Sequence, residues 1–275
     1  MVSLKTFYDE HPINESEILE KVESEGIPRA EIKPEDLSRY DQDHYDGLAA
    51  NDYLAAALGI GPDTRVLDIC SGMGGTSRYL AYRYGATVVG VDLNESRVDG
   101  ARALTRLVGL QDKVTYKICD AADLDLESEA VDRAVSQESF LHIQDRESLF
   151  AECSRVLKTG GGLGFTDWIS TDRLDAAARA FLADGLAASR IVSIPQYVSL
   201  LQNAGFSDVH AEDLSEQWKT ILHERLDMYR SLEAETVARF GRDRFDTYMR
   251  NYEFFVAQID IGALGGGRFV GWKRP

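Results

Sequence analysis

The sequence predicts a doubly wound α/β domain built around a mostly parallel β-sheet. From residue 64 onward, short apolar runs alternate with longer amphipathic segments, and strands separated by helices form parallel sheets. A glycine-rich turn follows the first of these runs, at residues 70–75, which is where open α/β sheets bind ligands. The chain has 275 residues, enough for one large domain with a modest insertion.

The first 60 residues are predicted to form a helical N-terminal extension, and residues 61–275 the α/β domain. Asn14 and Glu17 can form a capping box that opens the first helix. Prolines then interrupt the chain before a polar, aromatic linker. In order, the predicted elements are a helix that stops at Gly26, the linker over 40–47 and a helix over 48–58.

The α/β domain is predicted to contain a series of strands, the last of which follows a long helical insertion. The predicted strands cover 65–69, 87–91, 113–118, 130–136, 162–166, 208–212 and 265–272. The predicted helices cover 76–84, 95–108, 146–157 and 194–204. The insertion is a polar and aromatic helical stretch over about 216–261.

Charge and cysteine content exclude several classes of partner. The formal net charge is -16, from 46 acidic and 30 basic residues, and such a surface repels phosphate backbones and anionic headgroups. No apolar run approaches the roughly 20 residues that span a bilayer. The cysteines form no CxxC pair, and the histidines show no metal-ligand spacing. We expect a cytoplasmic protein with no metal, nucleic-acid partner or membrane association, and we leave a homodimer open.

Acidic residues follow three of the predicted strands, beside the glycine-rich turn. Asp68 lies at the start of that turn, whose Gly72 and Gly74 let a ligand approach the backbone closely. Asp92 follows the second strand, where a carboxylate can accept both ribose hydroxyls, and Asp120 follows the third, where it can accept from an adenine amino group. The alternative is that these acids are solvated loop residues or helix caps.

The glycines alone would also fit a dinucleotide, but an acid within the turn would repel its phosphates. Three acids suit a ligand that carries an ammonium, a sulfonium and no phosphate. The cofactor predicted from this arrangement is S-adenosylmethionine, which leaves as S-adenosylhomocysteine.

The segments 66–75, 91–92, 119–121 and 155–161 resemble the class I S-adenosylmethionine-dependent methyltransferase family in order and spacing. The resemblance implies a Rossmann-like sheet of seven strands whose last strand, 265–272, is antiparallel. The family usually has glycine where this chain has Cys70.

The same resemblance implies that the turn holds the methionine moiety, and that residues after the next two strands hold the ribose and the adenine. Arg97 is expected to face solvent on its helix. The implied cofactor residues are Asp68, Cys70, Gly72 and Gly74 for the methionine moiety and its turn, Asp92 and Leu93 for the ribose, and Asp120 and Ala121 for the adenine, with Gln42 and Gln137 as further candidates.

The segment 136–142 follows the fourth strand, at the usual edge of the reaction site in such a sheet. With 146–158 it resembles the sarcosine/dimethylglycine methyltransferases and, less closely, the phosphoethanolamine methyltransferases. His142 is predicted to be a base or a positioning group, because imidazole titrates near neutrality; the alternative is a histidine packed at a helix start. Glu138 would bind a cationic acceptor or lie in solvent.

The linker is expected to cross the mouth of the sheet. His44 and Tyr45 would close over the cofactor and touch the acceptor, as the N-terminal segment does in the resembling families; the alternative is a polar loop whose tyrosine merely packs. Asp167 and Trp168 are expected to line the same pocket; the alternative for Trp168 is a core tryptophan. The insertion at 216–261 is expected to form the acceptor lid.

The leading hypothesis is methyl transfer to a small molecule, with the nitrogen of a small amine or amino acid favoured. Methylation of oxygen, sulfur or carbon in a specialised metabolite is the second, since an aromatic lid would serve it equally well. An NAD-dependent oxidoreductase is disfavoured because Ser77 replaces the third glycine of the dinucleotide motif. A non-catalytic protein that kept the cofactor fold is a further alternative.

Overall fold

The computed structural model describes Tyr8, residues 13–42 and residues 44–274. Within these residues, seven strands form one sheet: β1 Arg65–Ile69, β2 Thr87–Asp92, β3 Val114–Ile118, β4 Val131–Gln137, β5 Leu157–Ser170, β6 Phe206–Asp213 and β7 Leu264–Lys273. Their order is β3-β2-β1-β4-β5-β7-β6. The neighbours among β1 to β5 run parallel, and β7 is antiparallel to both β5 and β6. The predicted fold class is confirmed.

The helices cover the two faces of the sheet and its carboxyl edge. They are α1 Glu15–Ser24, α2 Pro34–Leu37, α3 Gly47–Leu58, α4 Gly75–Tyr84, α5 Glu95–Leu107, α6 Arg146–Val156, α7 Ala176–Leu186, α8 Ile194–Asn203, α9 Ser215–Ser231, α10 Glu233–Phe240 and α11 Arg242–Asp260. Short 3-10 helices form at Arg29–Glu31 and Phe140–His142. No helix in this described part of the chain is long and apolar enough to cross a membrane.

The centre of the sheet determines where a ligand can bind. In β1, Val66, Leu67 and Ile69 are completely buried, as is typical of a parallel strand with helices on both faces. The strand order reverses between β1 and β4, and open α/β sheets bind ligands in the crevice at the carboxyl ends of such strands. The turn after β1 lies at that crevice.

The N-terminal extension packs on the cofactor half of the domain. Asn14 caps α1 by accepting the backbone N–H of Glu17 at 3.1 Å. On the inner face of α1, Ile18 and its apolar neighbours share a buried cluster with Met73 of the glycine-rich turn and Leu104 of α5. The extension therefore lies directly against the turn that follows β1.

The insertion consists of three helices rather than one continuous stretch. Leu232 separates α9 from α10, and Gly241, with φ +88°, separates α10 from α11. Glycine in β7 lets α9 approach the sheet, because a Cβ at Gly266 would lie 2.2 Å from the Trp218 ring. Helix α7 is not predicted from the sequence, because its small side chains give a weak apolar pattern.

Candidate active site

The glycine-rich turn after β1 has a backbone that most residues avoid. Cys70, Gly72 and Gly74 have φ values of +58°, +52° and +78°, in the left-handed region that favours glycine. A Cβ on Gly74 would lie 2.2 Å from the Tyr116 hydroxyl. A side chain at Gly74 would therefore displace Tyr116 from beneath the turn.

Cys70 adopts this left-handed conformation without being glycine, which explains physically why glycine is usual at this position. Its side chain packs against the main apolar cluster of the sheet. Burial raises the pKa of the Cys70 thiol, and the nearby charge of Asp92 raises it further. The thiol is therefore an uncharged packing group.

Asp68 is the buried acid at the start of the turn. Its side chain is 3% exposed and accepts a 2.5 Å hydrogen bond from the Ser77 hydroxyl. Burial raises the pKa of Asp68 to about 7, the Ser77 hydrogen bond opposes that rise, and the charge of Asp92 adds to it. A cationic ligand at this carboxylate would favour its charged form.

Asp92 ends β2 beside the turn, and backbone groups hold both of its carboxylate oxygens. One oxygen accepts the N–H of Gly72 and the other the N–H of Asn94, each at 2.9 Å. Burial raises the pKa of Asp92, and these two backbone hydrogen bonds lower it. A carboxylate oxygen can accept more than one hydrogen bond, so this group can also receive two hydroxyls of a ligand.

The next two predicted positions lie farther out along the same edge. Asp120 follows β3, lies in solvent, and accepts the backbone N–H of Ala122 at 2.9 Å. Ala121 is buried, and Leu93 is 59% exposed. Because β1, β2 and β3 are adjacent and parallel, their carboxyl ends bring Asp68, Asp92 and Asp120 to one edge of the sheet.

The expectation that Arg97 faces solvent is wrong. Its side chain is 4% exposed, and its guanidinium donates to the carbonyl of Tyr8 at 2.9 Å and to the carbonyl of Ile13. Arg97 also lies 5.1 Å from the centre of the Tyr8 ring. The N-terminal extension covers the first turn of α5, so a helix face that looks exposed in the sequence becomes buried.

The linker contacts both the glycine-rich turn and helix α4, which begins at the end of that turn. A buried ion pair joins Asp41 to Arg78 of α4 at 2.8 Å. The Gln42 side chain donates to Asp41 at 2.6 Å and accepts from Asn51 at 2.7 Å. A Cβ on Gly75 would lie 2.3 Å from the Asp41 carbonyl oxygen, so the linker and the turn are in close contact.

Gln137 at the end of β4 belongs to the same polar network. Its side-chain oxygen accepts from the Thr76 hydroxyl at 2.7 Å, and the Thr76 oxygen lies 3.1 Å from Asn51. Its side-chain nitrogen is buried and has no hydrogen-bond partner among the described residues. A buried donor of this kind calls for an acceptor that a bound ligand can supply.

His142 lies on the acceptor side, at the end of the 3-10 helix after β4. Its Nδ1 is 3.0 Å from the Ala187 carbonyl oxygen, and its Nε2 is 2.9 Å from the Tyr8 hydroxyl. A carbonyl oxygen can only accept, so Nδ1 carries the proton and Nε2 accepts from Tyr8. The structure thus brings together a histidine and a tyrosine that are 134 residues apart in the sequence.

His44 and Tyr45 are both buried, but they occupy different surroundings. The His44 ring nitrogens lie 3.0 Å from the Gln42 side-chain oxygen and 3.2 Å from the Tyr45 carbonyl oxygen. The backbone N–H of Tyr45 donates to both carboxylate oxygens of Glu138, each at 2.9 Å. Glu138 therefore binds the linker instead of lying in solvent.

The Tyr45 ring forms one wall of an aromatic cluster beneath the helical insertion. Its centre lies 4.7 Å from the Trp218 ring and 5.7 Å from the Trp168 ring. The Arg225 guanidinium lies 4.6 Å over the Tyr45 ring and donates to the His44 carbonyl at 3.0 Å. Burial raises the pKa of Tyr45, so its hydroxyl is neutral.

Comparison with known proteins places this geometry in a family. The family described as "Methyltransferase domain" matches residues 67–165. Phosphoethanolamine N-methyltransferase 1 of Zea mays is 28% identical over 216 residues, which are 78% of this chain and 42% of that protein. Glycine/sarcosine/dimethylglycine N-methyltransferase of Actinopolyspora halophila is 33% identical over 202 residues, 72% of this chain and 36% of that protein.

Residues 67–165 of this chain form a methyltransferase domain. For this domain, the predicted methyltransferase family, enzyme class and cofactor are confirmed. The chain spans less than half the length of these two curated relatives.

Solved structures agree with this methyltransferase fold. Phosphoethanolamine N-methyltransferase 2 of Haemonchus contortus, in complex with phosphomonomethylethanolamine and S-adenosylhomocysteine, has a TM-score of 0.79 at 22% identity. The matched region comprises 100% of this chain and 61% of the Haemonchus chain. A cyclopropane synthase of Mycobacterium tuberculosis has a TM-score of 0.74 at 18% identity and covers 84% of this chain and 87% of that chain. At these identities the likeness concerns the fold alone.

The expectation that Asp167 and Trp168 line one pocket is wrong. β5 continues to Ser170, and successive side chains of a strand point to opposite faces. Trp168 packs in the cluster beneath the insertion, 5.2 Å from Trp218. Asp167 faces the other way and bonds the hydroxyl of Tyr197 on α8.

Sequence reasoning missed several polar residues of the candidate site, namely Tyr8, Asp41, Asn51, Thr76, Arg78 and Arg225. Arg78 was a usable signal, because it lies one helical turn before the buried Ala81 on α4, and buried charges need partners. Tyr8 carried no such signal. Among the described residues, no group of His, Cys, Asp or Glu side chains is arranged to hold a metal ion.

Proposed function

We propose that this chain transfers a methyl group from S-adenosylmethionine to the nitrogen of a small amine or amino acid that also carries an anionic group. The observation that carries the proposal is the pair of opposite charges around Tyr45. Glu138 bonds its backbone at 2.9 Å, and Arg225 lies 4.6 Å over its ring. An amine and an acid on one small molecule match this pair in charge.

The tyrosines of the insertion add neutral hydrogen-bonding groups to the same cluster. The ring centre of Tyr252 lies 5.0 Å from that of Tyr229 and 6.0 Å from that of Tyr248. The Tyr252 hydroxyl is buried and has no hydrogen-bond partner among the described residues. Because a buried hydroxyl without a partner is costly, this group is a candidate donor to the anionic part of the acceptor.

For the cofactor, we assign the ribose hydroxyls to Asp92 and the methionine ammonium to Asp68. The buried nitrogen of Gln137 is a candidate donor to the methionine carboxylate, with Gln42 in the network beside it. Cys70, Gly72 and Gly74 shape the turn. Leu93, Asp120 and Ala121 are proposed for the adenosine end, since they line the outer part of the same edge.

Methyl transfer is a displacement in which the nitrogen lone pair attacks the methyl carbon. The C–S bond breaks as the C–N bond forms, and its electrons return to sulfur to give S-adenosylhomocysteine. The enzyme must therefore hold the nitrogen in line and keep its lone pair free of a proton. An amine that enters as an ammonium must first lose that proton.

The Tyr8–His142 pair is suited to remove this proton. The Tyr8 oxygen can take a proton from the acceptor ammonium while its own proton passes to Nε2 of His142, 2.9 Å away. The resulting imidazolium keeps its Nδ1–H directed at the Ala187 carbonyl. In this proposal Tyr8 and His142 are the catalytic residues, His44 positions the linker, and Tyr45 forms the wall of the acceptor site.

Methylation of oxygen, sulfur or carbon in a specialised metabolite is the second candidate, which the aromatic insertion supports. Incubation with methyl-labelled S-adenosylmethionine and a panel of small amino acids, phosphorylated amines, simple amines, thiols and phenols separates the two. We expect label on the nitrogen of acceptors that also carry a carboxylate or phosphate. Transfer to thiols or phenols with none to any amine would contradict the proposal.

A small-molecule acceptor, a cytoplasmic location and a homodimer stay predictions.

A further inference from the structure

We propose that Arg146, Asp167 and Tyr197 form a buried positioning network that holds the His142 imidazole in the tautomer and orientation needed for proton transfer. The network lies on the face of β5 that turns away from the aromatic cluster, so it does not contact the proposed acceptor. The inference rests on the proposed function of His142, and it adds residues that act on the reaction through His142.

The three side chains form a compact charged group inside the domain. All of them are 0% exposed. The Tyr197 hydroxyl donates to the Asp167 carboxylate and accepts from the Arg146 guanidinium at 2.7 Å. Arg146 and the same carboxylate oxygen lie 3.7 Å apart. Asp167 and Tyr197 thus fix one edge of the guanidinium.

The other guanidinium nitrogens of Arg146 donate to two backbone segments, one of which carries the His142 ring while the other hydrogen-bonds it. Its Nε donates to the carbonyl of Ile143 at 3.0 Å, and its Nη2 donates to the carbonyl of Arg190 at 2.5 Å. Ile143 directly follows His142, and Arg190 lies three residues after Ala187, whose carbonyl accepts from the imidazole. Arg146 therefore ties the segment that carries the imidazole to the segment that orients it.

Ala187 has a backbone conformation that requires such support. Its φ is +51°, in the left-handed region that costs a residue with a Cβ free energy. Conformations of this kind persist where the surrounding contacts fix them, and they concentrate at functional sites. Further hydrogen bonds join the segments, among them those from Ser189 Oγ to the His142 carbonyl at 2.9 Å and from the Arg190 N–H to the Leu141 carbonyl at 3.0 Å.

A purely stabilising role would not need charges at this place. Burying an arginine and an aspartate removes both from water, and well-packed apolar residues often stabilise a core as well as such a pair does. What apolar residues cannot do is donate to two carbonyls in fixed directions, which the planar guanidinium does. The arrangement therefore favours a positioning role.

The test compares Arg146→Lys and Tyr197→Phe with a matched control, Glu147→Gln. Glu147 forms an exposed ion pair with Arg190 in the same region, and within the described residues its carboxylate bonds the Arg190 guanidinium and none of the three buried side chains. We expect both test variants to lower kcat about 10- to 100-fold, as misplacement of a catalytic group does, with KM for S-adenosylmethionine within about twofold of the parent. Glu147→Gln should keep the parent kcat.

The second readout is the tautomer of His142, measured by nitrogen-15 NMR of the full chain without acceptor. We expect the Nδ1–H form in the parent and a mixture of tautomers in both test variants. A folded test variant that keeps the parent tautomer would overturn the proposal, whatever its kcat. If Arg146→Lys does not fold, the kcat and the His142 tautomer of Tyr197→Phe test the proposal.

The NMR readout also separates this inference from the proposed function. If no amine is methylated but Tyr197→Phe changes the tautomer, the positioning network stands and the assigned reaction fails. If amines are methylated and the tautomer does not change in a folded Tyr197→Phe variant, the reaction stands and the network fails.

Discussion

The carboxylate of Asp92 accepts the backbone N–H of Gly72 at 2.9 Å, which fastens the end of β2 to the glycine-rich turn after β1. The acid proposed to bind the ribose thus also holds the turn proposed to bind the methionine moiety. This hydrogen bond couples the two parts of the proposed cofactor site, because a displacement of the Asp92 carboxylate also displaces the turn at Gly72.

Asp92→Ala should weaken binding of S-adenosylhomocysteine by about 1–3 kcal/mol, since it removes a half-buried acceptor and leaves the Gly72 N–H without its partner. Calorimetric titration measures this change. Asp99→Ala is the matched control, because Asp99 lies on α5 with its side chain 65% exposed. An unchanged affinity in Asp92→Ala would remove this residue from the cofactor site.

The affinity for S-adenosylhomocysteine should depend on pH through Asp68. Burial raises the pKa of Asp68 to about 7 in the ligand-free protein, and a bound ammonium requires the charged carboxylate. Because protons compete with the ligand below this pKa, affinity is lost as the pH falls through about 7. We expect a rise of about tenfold between pH 6 and pH 8.

Asp68→Asn is the control for this pH dependence. It keeps the shape of the side chain and removes its titration, so binding should be weaker and nearly independent of pH over the same range. An equal rise with pH in the variant would assign the effect to another group, such as Asp92, whose pKa is also raised by burial.

The strained backbone at Cys70 predicts an unusual order of stabilities. Cys70→Gly and Cys70→Ala both remove the thiol from its packing, but only glycine relieves the positive φ of 58°. The free energy of unfolding of Cys70→Gly should therefore exceed that of Cys70→Ala by about 1–2 kcal/mol. Denaturant titration of the two variants compares them directly, and equal stabilities would show that the turn rearranges when the thiol is lost.

The cofactor half of this site could be predicted from the sequence because its signals are local. The acids follow short apolar strands, and parallel strands bring their carboxyl ends to one edge whatever the rest of the chain does. The acceptor half depends on contacts between distant segments. Tyr8 contacts His142, 134 residues away in the sequence, and Arg97, 89 residues away. No periodicity in these segments predicts either contact.

Side-chain direction was the second limit of the sequence analysis. The fifth strand was predicted over 162–166 but extends over Leu157–Ser170. Once Asp167 and Trp168 lie inside a strand, the two-residue period sends them to opposite faces. The element was therefore predicted correctly, and the error in its length assigned Asp167 to the wrong face.

His142→Ala and Tyr8→Phe should each lower kcat about 10²- to 10⁴-fold, the usual contribution of proton transfer, with little change in cofactor affinity. The double variant should be scarcely slower than either single variant, because both residues act on one proton. His210→Ala, which changes an exposed histidine of β6, should keep the parent rate. Full turnover in His142→Ala would support the alternative of a packed histidine.

Arg225 and Tyr252 should determine acceptor affinity rather than cofactor affinity. Arg225→Gln removes the positive charge over the Tyr45 ring, and Tyr252→Phe removes the buried hydroxyl that has no partner in the described residues. We expect each to raise KM for an acceptor with an anionic group about tenfold or more, which corresponds to about 1.4 kcal/mol of lost binding.

The same two substitutions should leave KM for S-adenosylmethionine unchanged, since neither side chain contacts the glycine-rich turn or Asp92. Arg230→Gln on the same helix is the control, because its exposed ion pair with Glu253 lies outside the aromatic cluster. For an amine without an anionic group, Arg225→Gln should change KM little, because there is no opposite charge to lose. An equal rise in KM for both kinds of amine would mean that Arg225 shapes the pocket through its packing and not through its charge.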